Sequence, residues 1–318
     1  MPAPQYDMEQ MIANIKRRCA VPTSQLTYTE DDFTKLCTDE LQDEVVPLLM
    51  STREDFFVEP YDTTVSSTGV MPFPANTVAS KVRNICFMQQ TSPLILANLP
   101  RIDLDVVAGV GYFNYSTLAG FYVQGNDFVL WPPQSLPVGT NIRVYIYRRT
   151  LVLAQPSAYG QVVSVDTRAK TVVLDSVPPV WIVGTVLNSI NGTTPFNITN
   201  DAMTITTLSS PTIELDTVDG ISVGDFISEQ GFSAIPQIPI EAHGYLAQLT
   251  AAKALEGLGD HAGLEAALAR AEKLKDNLMI MISQRVDGSV KKVMNPSGGL
   301  RLGAGIGRWG YGWSGGTF

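Results

Sequence analysis

The chain has 318 residues, 22 of them basic and 31 acidic, for a formal net charge of −9. At roughly 150 residues per domain the length predicts two domains or one large one, and an apolar fraction of 45% excludes disorder over most of the chain. Charged residues make up 17%, against about 25% in an average soluble protein, which points to a surface partly covered by partners.

The first predicted element is a short helix, because Met8, Met11, Ile12, Ile15 and Cys19 fall on one helical stripe, and Pro22 stops it. Thr29 followed by Glu30, Asp31 and Asp32 reads as a capped helix start, with acids at the positive end of the dipole. Phe33, Leu36, Cys37, Leu41, Val45, Leu48 and Leu49 continue that helix, with a kink at Pro47 or an end just before it.

After Tyr61, Gly and Pro punctuate short β-rich runs: Val82–Met88, Leu94–Leu99, Phe121–Trp131, Asn141–Tyr147, Val162–Val165 and Thr171–Leu174. Gln124-Gly125-Asn126-Asp127 between two apolar runs predicts a hairpin. Asn141–Tyr147 alternates, so one face is buried and one wet. Asp219-Gly220 and Val223-Gly224-Asp225 read as turns. The stiff segment Ile235-Pro236-Gln237-Ile238-Pro239-Ile240 leads back into helix, first over Glu241–Leu258, then along the stripe Leu264, Leu268, Ala271, Leu274, Leu278, Met281 and Ile282, ending at Asp287-Gly288.

The expected class is α+β. A helical layer formed from the N- and C-terminal helices carries an inserted antiparallel β-sandwich or barrel-like domain and a flexible C-terminal tail. The expected parts are 1–60 (helical), 61–240 (β-rich), 241–287 (helical, packing with 1–60) and 288–318 (a basic, glycine- and aromatic-rich docking tail).

Charge is unevenly distributed. Residues 1–60 hold 12 acidic and 5 basic side chains, and residues 100–240 hold 11 and 6. At the C-terminal end Arg285, Lys291, Lys292, Arg301 and Arg308 face Asp287 alone. The overall acidity argues against a sequence-independent nucleic-acid binder, which draws its affinity from a basic face. Cys19, Cys37 and Cys86 are an odd number without metal spacing, so neither a disulfide framework nor a zinc site is expected. A basic-then-apolar leader is not seen, and no apolar run reaches about 18 residues, so neither a signal peptide nor a transmembrane helix is expected. The sequons at Asn114, Asn191 and Asn197 then carry no meaning.

Two glycine motifs lack their structural context. Gly305-Ile306-Gly307-Arg308-Trp309-Gly310 matches the dinucleotide fingerprint, but too few residues follow to make its helix. Gly312-Trp313-Ser314-Gly315-Gly316 matches a nucleophile elbow without a downstream His. His243 and His261 read as structural or surface histidines, and the acidic runs Glu30–Asp32 and Asp39/Glu40/Asp43/Glu44 as solvated helix faces. The pair Arg148 and Arg149 reads as the solvated end of a strand. The expectation is no enzyme, with no catalytic residue, cofactor or metal. In the tail, charge and aromatics coincide, which suits docking into a partner's groove.

Four passages carry a family resemblance. They are the N-terminal helices ending in Val46-Pro47-Leu48-Leu49-Met50; Phe121-Tyr122-Val123 through Tyr145-Ile146-Tyr147-Arg148-Arg149; Val223-Gly224-Asp225-Phe226-Ile227 to Ile235-Pro236-Gln237-Ile238-Pro239; and the Ala/Leu helix leading into the basic tail. With these the chain resembles the head–tail adaptor (connector or collar) proteins of tailed bacteriophages.

The resemblance implies a structural virion protein at the head–tail interface, assembled in the host bacterial cytoplasm. Such proteins form a homo-oligomeric ring, commonly of twelve copies, below the portal protein. The ring extends the DNA ejection channel, passes genomic DNA without binding it specifically, and offers a platform to tail or nozzle proteins; no membrane is involved. The portal-docking residues it implies are Lys291, Lys292, Arg301, Arg308, Trp309, Tyr311, Trp313 and Phe318. The alternatives are another virion component, such as a tail-tube, head-completion or fibre-attachment protein, and behind it a β-sandwich polysaccharide hydrolase.

Overall fold

Helix α1 (Met8–Arg18) starts where the Asp7 carboxylate accepts the Gln10 N–H at 2.8 Å, and it buries Met8, Met11, Ile12 and Ile15. This computed structural model describes residues 6–20, 27–92, 94–103, 120–133, 135–192 and 198–283. Met1–Ser283 and Gln284–Phe318 are separate units, and the second lies outside the described residues.

Helix α2 (Glu30–Glu40) opens with a reciprocal capping box. Thr29 Oγ1 accepts the Asp32 N–H at 3.2 Å, and Asp32 Oδ2 accepts the Thr29 N–H at 2.8 Å. The break expected at Pro47 is displaced upstream, into a π-turn over Leu41–Val45 in which the Val46 N–H bonds the Leu41 carbonyl. Helix α3 (Val46–Thr52) then places Pro47 in its first turn, where a missing N–H costs no intrahelical bond.

Helices α4 (Ile240–Leu258) and α5 (His261–Ile282) are joined at Gly259, whose φ of +74° closes α4 in a left-handed cap. The expected α5 end at Asp287-Gly288 falls outside the described residues. The five helices among the described residues share one core, built on Phe33, Leu41, Leu49, Leu246, Ala251 and Leu278. Alanines 247, 251, 254, 267 and 271 are buried in it, and small side chains let helix axes approach closely.

Among the described residues the strands between α3 and α4 pair antiparallel except for Val152–Leu153 with Phe232–Ser233, and the class is α+β. Strands β1 (Val58–Thr64), β3 (Thr77–Thr91), β4 (Leu94–Leu99) and β7 (Asn141–Arg148) form a sheet in the order β1-β7-β3-β4. Strands β2 (Val70–Pro72), β5 (Gly120–Gln124) and β6 (Asp127–Trp131) form a second, in the order β2-β6-β5. The predicted hairpin joins β5 to β6, with Gly125 at φ +62°. Ile85, Phe128, Leu130, Ile142 and Val144 fill the core of this part.

Six further strands close a barrel: β9 (Tyr159–Asp166), β10 (Thr171–Leu174), β11 (Val186–Ile190), β12 (Ile198–Ser209), β13 (Thr212–Leu215) and β14 (Phe226–Glu229). Its order is β10-β13-β12-β11-β14-β9, around a core of its own with Val172, Trp181, Leu187, Met203 and Ile213. The β-rich stretch 61–240 therefore holds two hydrophobic cores. Between them, β8 (Val152–Leu153) pairs in parallel with β15 (Phe232–Ser233).

The barrel is internally two-fold. Exchanging β9, β10 and β11 for β12, β13 and β14 maps every pairing in the ring onto another pairing in it. Hydrogen bonds repeat with it. The Gly184 N–H bonds the Ile205 carbonyl while the Ile205 N–H bonds that of Thr185; the Gly224 N–H bonds the Val162 carbonyl while the Val162 N–H bonds that of Asp225. Gly184 and Gly224 share a left-handed φ of +93° and +92°. Core residues pair the same way: Leu174 with Leu215, Trp181 with Ile221, and Leu187 with Ile227.

Candidate interaction surfaces

The portal-docking candidates Lys291, Lys292, Arg301, Arg308, Trp309, Tyr311, Trp313 and Phe318, and both glycine motifs, lie outside the described residues. The remaining candidates are in place. His243 is wholly buried at the start of α4, with the Tyr6 ring 6.2 Å away, and burial pushes its imidazole down to about 4. The carbonyls of Pro236 and Ile238 and the charge of Glu241 pull it the other way. His261 is exposed at the first position of α5.

The N-terminal acids do helix work. Asp32 caps α2, and Asp31 pairs with Lys35 at 2.6 Å and also accepts from Gln155. Glu40 departs from the solvated face expected of its run: it is buried, and burial raises its carboxyl while Lys253 pulls it back. Arg148 also departs from its expected solvated position. It is buried at the end of β7, 3.5 Å from Glu59, whereas Arg149 is exposed. The alternation of β7 ends in three successive buried residues, Ile146 to Arg148, and that is what carries the guanidinium inside.

Among the described residues, no group of three or more His, Cys, Asp or Glu side chains is placed to hold a metal ion. Among the same residues, no helix is long and apolar enough to cross a membrane. The thiols are buried, and burial pushes Cys19 up to about 11 and Cys37 up to about 12, so neither is a thiolate nucleophile at neutral pH. An open groove of about 450 Å³ runs between α2 and the β8–β15 pair, floored by Leu153, Ala154 and Phe232 and rimmed by Asp31, Asp39 and Glu229.

Two surface features stand apart from ordinary packing. The loop from β10 to β11 turns Trp181 into the barrel core, while Val180, Ile182 and Val183 stand 68%, 68% and 60% exposed. The barrel is also poor in cations: it holds Arg168 and Lys170 in the turn between β9 and β10, and from residue 171 to its last strand it has seven acidic residues and no Lys or Arg. On the helical layer three arginines come close together. Arg17 and Arg18 donate to the neutral side chains of Asn14 and Gln248, and after burial the charges of Arg270 and Arg17 push the Arg18 guanidinium below its ordinary value.

Neither feature follows from helical or strand periodicity. The sequence signal for the first is the recurrence of Leu174-Asp175 and Val183-Gly184 as Leu215-Asp216 and Val223-Gly224. No protein-family model matches the chain, and no curated protein matches it in sequence.

Proposed function

We propose that this chain is a structural subunit of a virion head–tail adaptor, a ring that extends the DNA channel below the portal and seats tail proteins. The observation that carries this reading is an acidic barrel inserted into a helical layer built from both ends of the chain. Helices from both ends of the chain share a core, and the barrel inserted between them contributes seven acids and no cation over residues 171–229, its Arg168 and Lys170 being confined to the turn before β10. A wall of this kind repels phosphate, so DNA slides past it without adhering. Apolar residues left exposed at the barrel tip suit a subunit whose surface is completed by neighbours. The helical layer is then the body of the ring, and residues 288–318 are the segment that docks on the portal, through Lys291, Lys292, Arg301, Arg308 and the aromatic rings that follow.

The test is assembly. The purified chain mixed with its portal protein is imaged by electron microscopy with symmetry averaging. A closed ring, expected with twelve copies, on the tail-side face of the portal supports the reading. A chain that stays monomeric beside the portal overturns it, and a tube or a peripheral attachment of other symmetry transfers it to another virion component.

A further inference from the structure

Arg17 and Arg18 are held side by side without a carboxylate. Asn14 of α1, only 4% exposed, offers one side-chain oxygen to both: it accepts from Arg17 Nη2 and from Arg18 Nε, each at 3.2 Å. Arg18 Nη1 donates to Gln248 Oε1 at 2.8 Å, and buried Gln248 is itself fixed by its Nε2, which donates to the Ala267 carbonyl at 3.2 Å. Ala267 lies one turn before Arg270 on α5, which brings a third guanidinium group to the same place. Arg17 and Arg270 are exposed, and among the described residues none of the three arginines forms an ion pair. Packing gains nothing from gathering like charges. Buried amides that hold them together prepare a receptor for an anion.

We infer that this trio receives the carboxylates of Asp39, Asp43 and Glu44 from a second copy of the chain, and so joins copies head to tail. The inference rests on the ring reading and names one of its subunit contacts. The three acids are exposed at the end of α2 and in the π-turn after it, and among the described residues none forms an ion pair. They crowd as the arginines do. Burial raises the Glu40 carboxyl, and the charges of Glu44, Asp43 and Asp39 raise it further. Lys253, the cation that bears on Glu40 and Glu44, is itself paired with Glu256 at 3.1 Å.

Within one chain the two clusters stand apart. Arg18 bonds α4 at Gln248, whereas α2 meets α4 at Thr250, which bonds Cys37, and its acids act on Lys253. At 100° per residue, Thr250 and Lys253 lie roughly 140–160° around α4 from Gln248. A helix about 10 Å thick therefore separates the clusters, more than the ~8 Å over which exposed charges act. Nucleic acid is the poorer occupant of the trio, because residues 1–60, which supply Arg17 and Arg18, carry 12 acids against 5 cations and repel phosphate. Complementary patches on opposite flanks of identical chains make a heterologous contact, the kind that closes rings.

Exchange of charge tests the contact, with rings assembled on the portal and counted by electron microscopy. Arg17→Glu with Arg270→Glu, and separately Asp39→Lys with Asp43→Lys, should each lower the yield of rings about tenfold and leave the melting temperature unchanged. The chain carrying all four changes, in which each patch takes the other's sign, should recover the native yield. Should a double variant melt lower, the single exposed changes Arg270→Glu and Asp43→Lys, and the two together, take its place. Native yield from either reversed variant overturns the inference and leaves the ring reading standing. So does a combined variant that melts like the native chain and forms no rings, a result that assigns the trio to the portal or to DNA. Failure of the unmodified chain to form rings overturns both.

Discussion

Asp175 and Asp216 make the same three hydrogen bonds in the two halves of the barrel. Oδ1 of Asp175 accepts the N–H of Gln161 at 2.7 Å and of Ser176 at 2.6 Å, while its own N–H bonds the Gln161 carbonyl. Oδ1 of Asp216 accepts the N–H of Thr204 at 2.9 Å and of Thr217 at 2.8 Å, while its own N–H bonds the Thr204 carbonyl. β10 and β13 run antiparallel, so these carboxylates close opposite ends of the barrel. Each is exposed, so its loss leaves the freed N–H groups partly to water. Asp175→Ala and Asp216→Ala should each destabilise by about 1 kcal/mol, and the double variant by the sum, because distant sites add. Urea denaturation of the three variants measures this.

Glycine substitutions separate strain from steric exclusion. A Cβ at Gly224 meets nothing within 4 Å, so Gly224→Ala has only its left-handed φ to contend with, at about 1–2 kcal/mol. A Cβ at Gly160 would stand 2.3 Å from the Ser176 carbonyl oxygen, where β9 passes the end of β10. Gly160→Ala must therefore move backbone, and thermal melts should show it as the more damaging of the two.

The contrast between these glycines also marks where the sequence is legible. α1, α2 and α5 announce themselves through apolar spacing over three or more turns, and the Gln124–Asp127 hairpin through its turn chemistry. The barrel does not. Strands such as β10, β13 and β14 are four residues long, too short for alternation to be distinctive, and closure depends on β10 meeting β13 about 40 residues on. Arg148 misleads for a related reason: local alternation cannot tell that Glu59 of β1 waits near the end of its strand. The apolar loop is visible as the string Val180 to Val183, but only the twin loop, with Ser222 in place of Ile182 and the equally exposed Val223 in place of Val183, shows which of these side chains the barrel does without.

Buried His243 makes stability depend on pH in mildly acidic solution. Its imidazole is neutral in the folded chain, with the pKa pushed from 6.5 down to about 4 by burial. The unfolded chain therefore takes up a proton first. The contribution of His243 is complete above pH 6.5, declines as pH falls towards about 4, and is level below that, a loss of about 3 kcal/mol. Asp7 and Glu40, whose carboxyls are raised by burial, act in the opposite sense as pH falls, so the effect is isolated by subtraction. The stability difference between the native chain and His243→Leu, measured by urea denaturation from pH 7.5 to 4, should shrink by that amount. A difference independent of pH would mean that the ring titrates alike in the folded and the unfolded chain.

Docking on the portal is separable from folding if the tail is what docks. Residues 284–318 form a unit distinct from Met1–Ser283, and the described helical core runs to Ile282. Deleting residues 295–318 should therefore leave the melting temperature of the isolated chain where it was. The deletion removes Arg301, Arg308, Trp309, Tyr311, Trp313 and Phe318 together, and aromatic and arginine anchors of this kind carry most of the energy of a docked segment. Binding of the truncated chain to immobilised portal should drop below detection under conditions where the full chain saturates. Undiminished binding would move the docking surface onto the helical layer or the sheets, and the cationic face around Arg18 and Arg270 is the next place to mutate.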